Sequence, residues 1–331
     1  MKKFYNKKTF FILIVCTCCL ISSCNNKQNN VISNINIQES SDFPLENIDI
    51  SYNDNKKDIK YYEDYLGIKS TVIKYKQNIY IKDIPLDLAW ENANKSKIHS
   101  HKAKLYINSD NKYYDKIIAI NAGHGTKDGE KQKTLSHPDG SPKVTGGTNA
   151  VGEVNSMAIS SGMTFLDGTT EAEVNLKFSL FLRDELLNLG YSVLMLREND
   201  NTQLDNIART VISNNVANIH ISIHYNSTTN DEGIFYIGAP KVKSFLEMEP
   251  VINTYKMSDE LGDCIINYLK NNNEKIYGNG RMGMDLTQIS YSNIPTIDLE
   301  LGDKASDHSD LRLNELSKKI ALAINDYFVG E

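Results

Sequence analysis

From residue 116 onward two textures alternate along the chain: short, nearly continuous apolar runs, and longer segments whose apolar residues recur every three or four positions. Lys116-Ile117-Ile118-Ala119-Ile120-Asn121 is a run of the first kind. It stops at Ala122-Gly123-His124-Gly125, which predicts a buried strand entering a tight loop. Over residues 171–189, Val174, Phe178, Phe181, Leu182, Leu186 and Leu189 share one helical face, and Gly190 supplies the stop. Further strands are expected at Tyr191 to Leu196, Asn218 to His224, Ile234 to Ile237 and Pro295 to Leu301. Further helices are expected at Leu204 to Asn215, Ser258 to Leu269 and Leu311 to Phe328. Strands alternating with helices predict an α/β fold over 114–331, a layered, mostly parallel or mixed sheet flanked by helices.

The pattern before residue 114 differs. Residues 61–113 hold short pieces only: Thr71-Val72-Ile73 and Ile79-Tyr80-Ile81 read as strands, and Leu86 to Glu91, after Pro85, as the start of a helix. This stretch reads as a small appendage with no assignable activity. Residues 24–60 are rich in Asn, Ser and Asp with little apolar periodicity, for example Asn53-Asp54-Asn55-Lys56-Lys57-Asp58. They bury too little apolar surface to offset their ordering entropy, and read as a flexible tether.

Residues 1–23 read as an export signal, with Lys2, Lys3, Lys7 and Lys8 ahead of an apolar stretch from Phe10 to Ile21. That stretch is short of the roughly 20 apolar residues of a membrane-spanning helix. It ends in Ile21-Ser22-Ser23-Cys24, which resembles a bacterial lipobox and implies lipid attachment at Cys24. A plain secretory signal or a short anchor helix is the alternative; in each case the chain is expected outside the cytoplasm, and with the lipid it is held at the cell membrane facing the cell wall.

Composition then narrows the field. The 331 residues carry a formal charge of −6, and losing the signal removes four lysines and no acids, leaving −10. An acidic balance excludes a general nucleic-acid binder. Of five cysteines, three lie in the signal and one is Cys24, so Cys264 stands alone and no disulfide framework is expected in the exported chain.

Placed on the predicted elements, the polar residues converge. His124 follows the first strand, His224 ends another, and Glu300 lies near the end of a late one. In open α/β sheets reactive groups gather beyond the carboxyl ends of strands, so the three suggest a metal site. A catalytic zinc takes three protein ligands and leaves one position open. In Thr170-Glu171-Ala172-Glu173, Thr170 and Glu173 fit a capping box, which leaves Glu171 free to face the cleft as a ligand or to serve as an ordinary first-turn carboxylate. His220 is about 13 Å along the strand from His224, too far to share one ion, and reads as a polar strand position. His137 and His308 read as solvated loop residues.

In this order and on these elements, the motifs resemble the zinc-dependent N-acetylmuramoyl-L-alanine amidases, amidase type 3, over about residues 115–329. Asn121-Ala122-Gly123-His124-Gly125 is similar to the family's first zinc-histidine segment. Glu171 with Val174-Asn175-Leu176 is similar to its glutamate ligand and helix. Leu194-Met195-Leu196-Arg197 is like the strand ending in Thr-Arg. Arg209 and Asn214 followed by Ser222-Ile223-His224-Tyr225-Asn226 match the second zinc-histidine stretch, and Arg281, Asn293-Ile294-Pro295 and Glu300-Leu301-Gly302 the closing one. Two positions depart: Asn121-Ala122 stands where the family has Asp-Pro, and Asp303-Lys304-Ala305-Ser306 follows Gly302 in place of Phe-x-Ser-Asn. The stretch between His124 and Glu171 is also longer than usual, and reads as a lid or an insertion.

The resemblance implies Zn2+ held by His124, Glu171 and His224, with Glu300 as general base and then acid, and Arg281 as an electrostatic partner for an oxyanion or a stem-peptide carboxylate. It implies hydrolysis of the amide between N-acetylmuramic acid and the L-Ala of the stem peptide. The partners implied are peptidoglycan (glycan strand and stem peptide) and the membrane through the lipid on Cys24, with an activator protein as a further candidate and no nucleic acid. Two other readings remain at this stage: another surface zinc amidohydrolase or peptidase, and a catalytically silent cell-wall-binding scaffold. The absence of a His-Glu-x-x-His helix counts against one common peptidase class.

Overall fold

The computed structural model describes residues 79–108 and 113–330. The expected signal, Cys24, the tether and the strand at Thr71-Val72-Ile73 lie outside the described residues.

In chain order the strands and helices are β1 (Ile79–Pro85), β2 (Lys102–Asn108), β3 (Tyr113–Ala122), β4 (Lys133–Leu135), β5 (Asn155–Met157), α1 (Glu171–Leu189), β6 (Tyr191–Met195), α2 (Asn206–Val216), β7 (Ile219–His224) and β8 (Ile234–Gly238). They continue as α3 (Lys243–Leu246), α4 (Val251–Asn271), β9 (Ile276–Gly283), α5 (Thr287–Ser290), β10 (Thr296–Glu300) and α6 (Asp310–Val329). Eight strands form one mixed sheet in the order β1-β2-β6-β3-β7-β10-β8-β9, while β4 and β5 pair separately. The pairs β3–β6, β3–β7, β7–β10 and β8–β9 are parallel, and β1–β2, β2–β6 and β8–β10 antiparallel. This is the expected α/β architecture.

Local chemistry explains α1. The Thr170 side chain accepts from the Glu173 backbone N–H while the Glu173 carboxylate accepts from the Thr170 N–H, so the capping box is complete. At the other end Gly190 takes φ 98°, a left-handed conformation that glycine adopts without steric cost. Between the caps Val174, Phe178, Leu182 and Leu186 are buried against the sheet together with residues of α4 and α6. Each such side chain contributes about 1.5–3 kcal/mol through burial. On the other sheet face Ala119, Leu194 and Leu196 cluster with Ile207, Val211 and Ile212 of α2, and further along Phe235 and Ile237 of β8 cluster with Phe245 of α3. The result is three layers, with the sheet between them.

Two findings depart from the sequence pattern. No helix forms over Leu86–Glu91; Ala89 N–H donates to the Asp87 carboxylate and Trp90 N–H to the Asp87 carbonyl, so a turn replaces it, with a single 3-10 turn at Ala93–Lys95. A short Asp side chain competes with helix bonding in this way. Strand β9 carries Gly278, Gly280 and Gly283 and little apolar signal; Ile276 and Met282 pack at the core margin, and backbone pairing to β8 makes it a strand. The 79–108 part of the stretch read as an appendage supplies β1 and β2, and β2 pairs directly with β6.

Candidate metal centre

His124 follows β3 in a backbone conformation of φ 63°, and glycines stand on both sides of it. The space is used by other side chains. A Cβ on Gly123 would stand 2.2 Å from Cε1 of His224, and one on Gly125 would stand 2.5 Å from the Arg197 guanidinium carbon. Gly-His-Gly is thus required by close approach of a second imidazole and of an arginine. The loop is then held by its carbonyls. Arg197 donates to the carbonyls of Ala122, Gly123 and Ala172. Arg209 donates to the carbonyls of Ala122, His124 and Leu204, to Asn121 Oδ1 and to Thr126 Oγ1. Both guanidiniums are buried, and burial together with the Arg197 charge lowers the pKa of Arg209 to about 9.

Parallel pairing of β3, β7 and β10 brings the strand ends level, with Glu300 in register with His224. Glu171, in the first turn of α1, completes the group. Its Oε1 lies 2.9 Å from His124 Nε2 and 3.0 Å from His224 Nδ1, and those two nitrogens are 3.1 Å apart. Its carboxylate also accepts from the backbone N–H of Tyr225 and Met163 and from Asn175 Nδ2. Burial pushes this carboxyl up, but the two imidazoles outweigh it and hold its pKa well below the ordinary value. Glu300 is in the reverse situation: burial, helped by Asp298, Glu171 and Asp303, outweighs His224 and raises its pKa well above the usual range.

Do these residues fit a metal ion? One donor atom from each of His124, Glu171 and His224 lies within 4.8 Å of the others. His124 Nδ1 is 2.8 Å from the Ser160 carbonyl, which only accepts, so the hydrogen-bond network assigns the ring proton there. In the neutral ring the Nε2 lone pair then faces a carboxylate oxygen and a second imidazole nitrogen, an arrangement that demands a cation. The surroundings of His224 make the same demand. Burial lowers its pKa, yet Asp298, Glu171 and Glu300 raise it to about 10. Two imidazoles, one carboxylate and a partner that fixes a ring tautomer form a donor set of the catalytic-zinc kind. The residues fit.

The remaining candidates lie elsewhere. Arg281 is in register with Tyr236, which pairs with Leu299, so alternation along β10 puts it on the sheet face opposite Glu300. There it is bound to Asp259 at 2.9 Å and donates to the Ala239 carbonyl. The structure does not bring it to the cluster. His220 is fully buried, with both ring nitrogens unpartnered among the described residues, and it is no member of the ligand group.

His137 is not a solvated loop residue. It is buried, its Nε2 is 2.9 Å from both Asp285 carboxylate oxygens, its Nδ1 is 2.8 Å from Ser141 Oγ, and Lys143 binds the same aspartate. This cluster pins the long segment between His124 and Glu171 to the residues before α5. His308 is half-buried, 3.1 Å from Asp167 and stacked 4.2 Å from the Phe165 ring.

Both motif departures are built into this framework. Asn121 donates to Ser222 Oγ and accepts from Arg209. Asp303 is buried and accepts from Asn226, Thr228 and the Glu232 N–H. Three contributors to the site were missed in the sequence. Asp298 had a signal, since alternation puts it on the same strand face as Glu300. Ser160 and Gly162, contributed by a loop, had none.

An α/β sheet that gathers a buried His-Glu-His group able to hold a metal ion, with a buried glutamate beside it, at its strand ends defines the class of fold and site. Residues 118–327 match the Amidase_3 family, N-acetylmuramoyl-L-alanine amidase, and the chain belongs to that family. Among solved structures, the apo form of the N-acetylmuramyl-L-alanine amidase Ami1 from Mycobacterium abscessus is similar at 20% identity, with TM-score 0.50, covering 65% of this chain and 97% of that one. Ami1 from Mycobacterium smegmatis is similar at 19% identity, with TM-score 0.49, covering 65% and 95%. The CwlD amidase from Clostridioides difficile, in complex with the GerS lipoprotein, is similar at 20% identity, with TM-score 0.45, covering 65% and 100%. At these identities the likeness concerns the fold alone. No curated protein sequence matches the chain.

Proposed function

We propose that this protein is a peptidoglycan hydrolase that cleaves the amide between N-acetylmuramic acid and the L-Ala of the stem peptide, with zinc held by His124, Glu171 and His224. The observation that carries the proposal is the convergence of those three donor atoms beside Glu300, within a chain of the amidase family. Amides resist hydrolysis because the carbonyl is a weak electrophile, hydroxide is scarce at neutral pH and the amine leaves badly. A bound zinc ion supplies Lewis acidity, polarising the carbonyl and making water a stronger acid.

The chain's own residues do the rest. Glu300, with its carboxyl pKa held high, is suited to take the proton from the attacking water and return it to the leaving amine. Arg197 and Arg209 keep the His124 loop in place through its carbonyls. Arg281, engaged on the other sheet face, has no part in this proposal. The substrate lies outside the cytoplasm, which agrees with an export signal and with lipid attachment at Cys24. No helix among the described residues is long and apolar enough to cross a membrane.

The test is incubation of the purified protein with muropeptides, followed by identification of the new ends. Free lactyl carboxyls paired with free L-Ala amines are expected. A cut inside the stem peptide, or binding without any cut, would overturn the proposal.

A further inference from the structure

We infer that Asp298 is a positioning residue for the metal centre: its carboxylate accepts the outer ring N–H of His224 and so fixes the face that His224 presents to the metal. The inference rests on the zinc reading above and deepens it.

The argument starts from β10. Side chains alternate along a strand, so Asp298 and Glu300 point to the same face, and register places them beside Ser222 and His224 of β7. The His224 ring has two nitrogens in different surroundings. Nδ1 faces Glu171 at 3.0 Å and His124 at 3.1 Å, so it is the nitrogen that belongs to the donor set. An imidazole that offers a lone pair at Nδ1 carries its proton at Nε2. That N–H is buried, and neither His224 Nε2 nor Asp298 Oδ1 has a hydrogen-bond partner among the described residues. The two atoms are 3.6 Å apart. A donor and an acceptor, both buried and unsatisfied, face each other at slightly more than bonding distance, and closing the gap removes both penalties at once.

The ring has little freedom to turn elsewhere. Gly123 packs so closely on its Cε1–Nε2 edge that an added Cβ would stand 2.4 Å from Nε2. The backbone at Gly123, just after β3, limits one side of the ring, and Asp298 defines the direction of its outer nitrogen. Metal-bound histidines commonly donate their second N–H to a carboxylate, and losing that partner typically costs 10–100-fold in metal affinity.

The test uses the full chain with Asp298→Ala and Asp298→Asn. Zinc affinity is measured by competition with a chromogenic chelator, and ligand geometry by the visible absorption of the cobalt(II)-substituted protein. Asp298→Ala should weaken zinc about 10–100-fold and alter the cobalt spectrum. Asp298→Asn keeps a side-chain oxygen acceptor and should restore most of both, a rescue that a purely packing role does not predict. Wild-type protein that binds zinc, with Asp298→Ala binding it equally well and giving the same spectrum, overturns this inference alone. Equal losses in both variants also overturn it, since the carboxylate charge and not ring positioning would then be the cause. Wild-type protein that takes up no zinc overturns the reading of the site, and this inference with it.

Discussion

Gly162 lies so close to His124 that a methyl group on its Cα would stand 2.6 Å from the imidazole Cδ2, and the same methyl would be 2.9 Å from Glu171 Oε2. Its φ of +87° is also one that other residues adopt only under strain. A loop glycine far from the motifs thus shapes the metal centre. Gly162→Ala should displace the His124–Glu171 pair, weaken zinc binding at least about tenfold and lower hydrolysis in parallel. Chelator competition and muropeptide turnover measure the two effects. Unaltered values for both would mean that the 160–163 loop moves aside freely.

Glu300 tests the proton-transfer role separately. Glu300→Gln removes the exchangeable carboxyl proton while keeping shape, and none of the three donor atoms is touched. Hydrolysis should fall by about 10²–10⁴-fold, the usual contribution of a positioned acid–base group, with zinc stoichiometry unchanged. Hydrolysis at wild-type rate in this variant would remove Glu300 from the proposed mechanism.

Arg209 is a stability residue as much as a site residue. In Arg209→Met the Ala122 carbonyl still accepts from Arg197 and the Leu204 carbonyl from Thr126, but the His124 carbonyl and Asn121 Oδ1 lose their donor. An unpaired buried polar group costs about 1–3 kcal/mol, so the loss in urea unfolding should be about 2 kcal/mol or more. A loss under about 1 kcal/mol would show that the His124 loop does not depend on this clamp.

His220 makes stability depend on pH. Burial, assisted by the Arg209 charge, lowers its pKa from 6.5 to about 3. Between those values the unfolded chain binds a proton that the folded chain refuses, so the contribution is complete above pH 6.5 and is lost as pH falls toward 3. The slope approaches about 1.4 kcal/mol per pH unit. From pH 7 to pH 5 the wild type should therefore lose about 2 kcal/mol more than His220→Leu. Parallel losses in urea melts of the two proteins would contradict the neutral, buried imidazole.

What could be read along the chain, and what could not, divides by the range of the interaction. Helix α1 was legible end to end because its face, its Thr170–Glu173 box and its Gly190 stop all lie within about twenty consecutive residues. Strand β9 was not legible, because pairing with β8 stabilises a glycine-rich segment with little apolar signal. Leu86–Glu91 follows a proline as a helix start would, but Asp87 closes a local turn there, its carboxylate accepting from Ala89 N–H and its carbonyl from Trp90 N–H.

At the site, the sequence alone determined the residue types and their places on the elements: histidines after strands, a glutamate in a first helical turn and another at a strand end. Chemistry of that kind is local, since strand and helix boundaries follow from neighbouring residues. Tertiary structure decided everything that depends on two distant segments meeting. It put Arg281 on the far face with Asp259, buried His137 against Asp285, and set Asp298 beside His224. It also brought Ser160 and Gly162, from a loop without periodicity, against His124. No sequence pattern encodes those meetings, because each arises from the strand order and from close packing of the layers, and both are properties of the whole chain.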